Sequence, residues 1–132
     1  MVHKEGPWGG TGGTPFDTKA AQQILGFEVW YDDCVTGIRF KYQQDDEIKW
    51  SKVFGSTSGG RHDKVQTTNT ITGIHGTEST EVVQSLSFVT SAGTYGPYGS
   101  KHGNPFDATG VIVGFFGRSS EQLDAIGVWI DP

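Results

Sequence analysis

The chain has 132 residues, which suits one ordinary domain with a buried core, and its formal net charge is −5. This acidic balance argues against a nucleic-acid partner, because phosphate binding normally requires a basic face. The longest apolar stretch, residues 111–116, is far below the ~20 residues that span a bilayer, so we expect no membrane insertion.

Composition favours a turn-rich all-β protein, because the chain has 20 glycines and many threonines and serines. The first residues do not form the apolar run and small-residue cleavage site of a secretory signal. Cys34 is the single cysteine and has no internal disulfide partner, which agrees with a reducing compartment. We therefore expect a cytoplasmic or nucleocytoplasmic location.

A ten-residue pattern occurs three times, in residues 8–17, 54–63 and 98–107. Each copy begins with an aromatic residue and has Gly one residue later, Gly five residues later and Asp nine residues later. A period of roughly 40 to 50 residues indicates one supersecondary unit that is copied and packed against its siblings. The sequence therefore predicts a single domain, residues 1–132, with internal threefold symmetry.

Each pattern is followed by an apolar run, a polar turn and a second apolar run, which is typical of a β-hairpin. The predicted strands, two in each copy, cover residues 24–31, 35–42, 70–75, 83–89, 111–116 and 123–130. The predicted turns cover residues 32–34, 76–81 and 117–122. With the strands beside each glycine loop, every copy supplies about four strands. We expect three four-stranded sheets around a pseudo-threefold axis, closed by pairing of the first and last strands.

The three copies differ at the second residue of the returning strand, which is Thr36, Gln84 or Asp124. An isolated Asp beside a tight turn is often only a turn residue that binds its own backbone. In the third copy, however, the backbone N–H groups of residues 119–123 can converge on the same point as the carboxylate. A sugar suits such a site, because its hydroxyl groups donate to a carboxylate and its oxygens accept from amides.

Three segments, residues 6–17, 92–99 and 113–128, resemble the jacalin-related lectins, and the resemblance covers nearly the whole chain. The last segment, which contains Asp124, is more diagnostic than the glycine-rich start. The resemblance implies a β-prism I fold of three Greek-key sheets. It also implies carbohydrate binding without catalysis and without a cofactor.

The sugar-binding motif of that family, Gly-x-x-x-Asp, falls on the five residues from Ser120 to Asp124. The resemblance assigns the Asp124 carboxylate to accept from sugar hydroxyl groups, and the backbone amides of Glu121 and Gln122 to donate. Gly13 matches the family residue whose backbone amide completes the site. Ser120 departs from the family glycine. If the turn needs a positive φ there, the residue would be strained by roughly 1 kcal/mol and the affinity altered.

The resemblance also bears on sugar preference and on the number of sites. Gly13 lies inside a continuous chain, unlike in the processed galactose-preferring branch, so we expect mannose- or glucose-type glycans as ligands. Thr36 and Gln84 offer no carboxylate, which predicts one site per chain, with Asp33 as a weak remnant of a second site. Family members are often oligomers, so we expect a homo-oligomer in which several weak sites act together.

The residues suggest two other functions. Carboxylates at hairpin tips could form a glycosidase pair, but such tips are commonly solvated, which argues against an enzyme. A protein-interaction module with weakened or lost sugar binding is the stronger alternative, because Ser120 replaces the family glycine.

The four histidines show no close pairing, so no metal site is predicted. His62 is expected to be a partly buried structural residue, because the other copies have Phe at its position.

Overall fold

The computed structural model describes residues 1–67 and 69–132, and these residues form strands, turns and loops only. The strands are β1 (His3–Gly9), β2 (Thr14–Asp17), β3 (Gln23–Tyr31), β4 (Val35–Gln44), β5 (Glu47–Trp50), β6 (Phe54–Gly55), β7 (Arg61–Gln66), β8 (Ile71–Glu78), β9 (Val83–Thr90), β10 (Gly93–Gly99), β11 (Asn104–Thr109), β12 (Val111–Ser119) and β13 (Leu123–Asp131). No helix long and apolar enough to cross a membrane occurs in the described ranges.

The strands form three antiparallel sheets. Sheet A has the strand order β1-β13-β12-β2, and sheet C has the order β10-β9-β8-β11. Sheet B has the order β5-β4-β3-β7, and the short β6 also pairs with β4, so that one edge of this sheet is interrupted. The terminal strands β1 and β13 pair, with His3 opposite Ile130. These observations confirm the predicted all-β fold of three sheets closed by its first and last strands.

Each sheet combines two copies of the repeat. The first hairpin, β3 and β4, pairs with strands that flank the second glycine loop, and the second hairpin, β8 and β9, pairs with strands that flank the third. The third hairpin, β12 and β13, pairs with β1 and β2, which flank the first glycine loop. Every glycine loop therefore meets the hairpin of another copy, and the first loop meets the third hairpin.

Two of the predicted turns begin too early. Strand β8 continues to Glu78 and strand β12 to Ser119, so Gly76 and Gly117 lie inside strands. A Cβ atom on either glycine would lie 2.1 Å from a carbonyl oxygen of the adjacent strand. Glycine occurs at these positions because another backbone approaches closely, not because the chain turns. The turns themselves are shorter than predicted.

The centre of the core is a group of phenylalanines where the three sheets meet. Phe27 and Phe40 come from sheet B, Phe88 from sheet C and Phe115 from sheet A, and none is more than 1% exposed. Phe40 and Phe115 stack with ring centroids 3.7 Å apart. Phe27 and Phe88 stack with centroids 4.0 Å apart. These rings therefore join all three sheets at the pseudo-threefold axis.

The expectation that His62 is partly buried is wrong. Its side chain is 56% exposed and stacks on Trp30, with ring centroids 6.1 Å apart. The neighbouring residue Asp63, which faces the other side of β7, accepts a 2.6 Å hydrogen bond from the hydroxyl of Tyr98. Burial and this hydrogen bond raise the pKa of Tyr98 above its ordinary value. The aromatic residues that match Tyr98 in the other two copies stack on phenylalanine rings instead.

Candidate functional site

The candidate site lies at one end of sheet A, where the first glycine loop meets the turn between β12 and β13. The N–H of Gly10 donates to the carbonyl of Asp124 at 2.8 Å, which ties the loop to the start of β13. The same bond recurs from Ser56 to Thr36 at 2.9 Å and from Ser100 to Gln84 at 3.1 Å. The three loop and hairpin junctions are therefore built alike, and they differ in the side chains they carry.

Gly13 is held in a conformation that favours glycine. Its φ is +74°, and a Cβ atom there would lie 2.5 Å from the carbonyl oxygen of Ser119. Arg118 fixes the loop from the side, because its guanidinium donates to the carbonyls of Gly12 at 2.9 Å and Gly13 at 3.0 Å. The loop is thus pinned against the turn that contains the other predicted site residues.

Asp124 stands between the loop and the turn. It is only 8% exposed, and its Oδ1 accepts a 2.8 Å hydrogen bond from the hydroxyl of Ser120. Its Oδ2 lies on the side of the glycine loop, 3.1 Å from where a Cβ atom on Gly12 would be. A side chain at position 12 would crowd this oxygen, so glycine at that position leaves room beside it.

Ser120 does not have the positive φ that would strain it, so the expected strain is not present. Its backbone N–H donates to the carbonyl of Gln122 at 2.9 Å, which closes a tight turn. The N–H of Gln122 lies 3.4 Å from the Ser120 hydroxyl oxygen, at the long end of hydrogen-bond distance. The turn therefore accommodates serine with an ordinary backbone, and the serine hydroxyl reaches inward to the carboxylate.

The side chains of the turn's central residues do not converge on Asp124. Glu121 is exposed, and the Gln122 side-chain amide donates to the sulfur of Cys34 at 3.4 Å. Burial and the nearby carboxylates raise the pKa of Cys34, which keeps this thiol neutral. Of the side chains in this turn, that of Ser120 reaches the carboxylate, and those of Glu121 and Gln122 point elsewhere.

Ser56 is a residue of this site that the sequence interpretation missed. Its hydroxyl donates to the carbonyl of Glu121 at 2.7 Å. That carbonyl and the N–H of Gln122 belong to one trans peptide unit, so fixing the carbonyl directs the N–H to the opposite side. Ser100 makes the equivalent bond to the carbonyl of Asp33 at 2.6 Å. The shared repeat position of the two serines is the sequence signal that could have revealed this contact.

The two other junctions lack a carboxylate at the position of Asp124. In the first hairpin this residue is Thr36, whose buried hydroxyl has no hydrogen-bond partner within the described ranges. Nearby, Asp32, Asp33, Gly60 and Arg61 line an open cavity of about 360 Å³. Within the part of the chain that the structure describes, no group of three or more His, Cys, Asp or Glu could hold a metal ion.

Three sheets around a pseudo-threefold axis, with a glycine loop beside a turn and its carboxylate, are the features of a β-prism lectin. A family model described as the Jacalin-like lectin domain matches residues 5–129. The chain therefore belongs to the jacalin-like lectin domain family. Membership of this family makes it a carbohydrate-binding lectin domain and not an enzyme.

Relatives and solved structures agree with this assignment. Jacalin-related lectin 3 of Arabidopsis thaliana is 38% identical over 93% of this chain, although the match spans only 23% of that protein. Horcolin of Hordeum vulgare is 37% identical, and the match covers 98% of this chain and 97% of horcolin. The structure of Malaysian banana lectin superposes with a TM-score of 0.93 at 28% identity, covering 100% of this chain and 99% of the banana protein. A mannose-specific jacalin-related lectin from Morus nigra, solved in complex with mannose, has a TM-score of 0.92 at 26% identity over 100% of this chain and 96% of its own.

Proposed function

We propose that this chain binds mannose- or glucose-type glycans through one site per chain. The observation that carries the proposal is the meeting of the Gly13 loop with the turn that ends at Asp124. Two similar proteins support the sugar class: a relative 33% identical over 96% of this chain is named a mannose/glucose-specific lectin of Parkia platycephala, and the Morus nigra structure contains mannose.

Each site residue has a chemical role in this proposal. The Asp124 carboxylate accepts hydrogen bonds from sugar hydroxyl groups, and its charge strengthens them. The backbone N–H groups of Glu121 and Gln122 donate to sugar oxygens, as does the N–H of Gly13. Because these are a few hydrogen bonds on an open surface, we expect weak monosaccharide binding that gains strength when several sites act together.

The proposal of a single site rests on the differences among the three junctions. Thr36 and Gln84 stand where Asp124 stands in the third copy, and neither carries a negative charge. A hydroxyl or amide forms weaker bonds to sugar hydroxyl groups than a carboxylate does. A protein-interaction module of the same fold is the second candidate function, and one observation favours it: the Asp124 carboxylate is already hydrogen-bonded to Ser120.

Isothermal titration of the chain with methyl α-mannoside, methyl α-glucoside and methyl α-galactoside tests the proposal. We expect binding heat with the first two sugars and none with the galactoside, at a stoichiometry of one site per chain. A folded chain that produces no heat with any of the three, in monomeric or multivalent form, contradicts sugar binding and supports the interaction module.

Ser56 is expected to support the site without touching the ligand. We predict that Ser56→Ala lowers the affinity for methyl α-mannoside roughly three- to tenfold, because losing a hydrogen bond of about 1 kcal/mol frees the Gln122 N–H to rotate. Ser100→Ala is the matched control, since it removes the equivalent bond at Asp33. Both variants should lose similar stability in thermal melts, and only Ser56→Ala should lose affinity. Equal affinities for the two variants would contradict this role.

A further inference from the structure

The Ser120 hydroxyl occupies the hydrogen-bonding groups that the proposed sugar site offers. It donates to Asp124 Oδ1 at 2.8 Å, and its oxygen lies 3.4 Å from the N–H of Gln122. One small hydroxyl therefore contacts both a charged acceptor and a backbone donor of the site. A sugar hydroxyl is expected to make the same two contacts, with the same directions of donation.

We propose that the Ser120 hydroxyl is an internal competitor for a sugar hydroxyl at Asp124, an inference that rests on the function proposed above. A serine hydroxyl has one proton to donate, and here that proton is directed to Oδ1. A ligand either displaces the serine or binds mainly through Oδ2. In both cases the wild-type chain gains less from the carboxylate than a chain without this hydroxyl.

The backbone supports this interpretation. Ser120 lies outside the left-handed region, so serine fits the turn without backbone strain. The bond from its hydroxyl to Asp124 is therefore formed without a backbone penalty. Asp124 is largely buried, and leaving a buried carboxylate without hydrogen bonds costs free energy. The serine therefore stabilises the empty site, which makes the bound state relatively less favourable.

The glycine loop leaves Oδ2, the second carboxylate oxygen of Asp124, as the acceptor for a ligand hydroxyl. Oδ2 lies beside Gly12, which has no side chain, and the loop carbonyls there are held by Arg118. We expect the wild-type chain to gain most from one sugar hydroxyl at Oδ2. A chain without the Ser120 hydroxyl should gain from two hydroxyl groups, one at each oxygen.

Titration of Ser120→Ala and Ser120→Gly with methyl α-mannoside tests the inference. We expect both variants to bind roughly three- to tenfold more tightly than wild type, because each removes one charge-assisted competing bond. Ser79→Ala is the matched control: the Ser79 hydroxyl oxygen also accepts from backbone N–H groups of a hairpin turn, at 3.0 Å from Val82, but it lies in the second copy. This control should leave the affinity unchanged.

Monodeoxy mannosides give a second measurement. At one hydroxyl position, removal should cost the Ser120→Ala variant several-fold in affinity and cost the wild-type chain little, because only the variant uses that hydroxyl at Oδ1. Equal costs in both chains at every position overturn the inference.

The outcomes separate the inference from the function on which it rests. Tighter binding by both Ser120 variants supports the competitor, and so does binding by the variants alone when wild type is silent. Wild-type binding that is unchanged or weakened in both variants overturns the competitor and leaves the sugar site in place. Silence of wild type and both variants, all shown to be folded by circular dichroism, overturns the proposed function and the inference together.

Discussion

Asp124→Asn is expected to lower the affinity for methyl α-mannoside about a hundredfold or more while the domain stays folded. A hundredfold loss corresponds to about 2.7 kcal/mol, which is in the range for losing hydrogen bonds to a charged group. The replacement amide can keep the bond from Ser120, but it removes the charge and presents N–H donors in place of an acceptor. Donors that face sugar hydroxyl groups lose the charge-assisted bonds on which the site depends.

Gln84→Ala is the matched control for this change, because Gln84 occupies the same place in the second hairpin. We expect its affinity to equal that of wild type. Titration calorimetry gives the affinities, and thermal melts confirm that both variants are folded. Affinity of Asp124→Asn within threefold of wild type would show that the sugar, if it binds, binds elsewhere.

Phe88→Ala is expected to lower the free energy of unfolding by about 3 to 5 kcal/mol. Phe88 is fully buried and stacks on Phe27 at a centroid distance of 4.0 Å, and its edge contacts involve rings of the two other sheets. Its removal leaves a cavity on the pseudo-threefold axis that no single sheet can fill by moving. Since small domains have only about 5 to 15 kcal/mol of stability in total, this change brings the chain close to unfolding.

Urea denaturation followed by tryptophan fluorescence measures this loss. Phe88→Leu is the control, because it keeps most of the apolar volume, and it should cost clearly less than alanine. A loss below 1 kcal/mol for Phe88→Ala would mean that the three sheets repack around the cavity.

The repeat explains why much of the fold is predictable. The alternation of apolar residues predicts which side chains of each strand face the core, and the recurrence of the pattern predicts that the hairpins share one core. The strand boundaries were less accurate at Gly76 and Gly117, because a glycine in the sequence does not reveal whether the chain turns or another backbone passes close by. His62 shows the same limit: its counterparts Phe16 and Phe106 pair with glycines on the neighbouring strand, whereas His62 pairs with Trp30 and stacks on that ring, where it stays exposed.

The candidate site was partly predictable for a related reason. Asp124 is recognisable because its two counterparts lack a carboxylate, and Gly13 because of its resemblance to the family. The bond from Ser120 to Asp124 was not predicted, because its formation depends on the conformation of the turn and on the rotamer of Ser120. Ser56 was missed because it lies in a different copy from the carbonyl that it holds.

Local pattern in the sequence was sufficient for the all-β class, the three hairpins and the identity of the copy that carries a carboxylate, since each of these depends on residues close together in the chain. Only the tertiary structure decided which atoms join a glycine loop to its hairpin, as the N–H of Gly10 and the carbonyl of Asp124 do. It also decided that Ser120 turns its hydroxyl onto the carboxylate. These features depend on packing between segments that are distant in sequence and on rotamers that packing selects, so no local pattern records them.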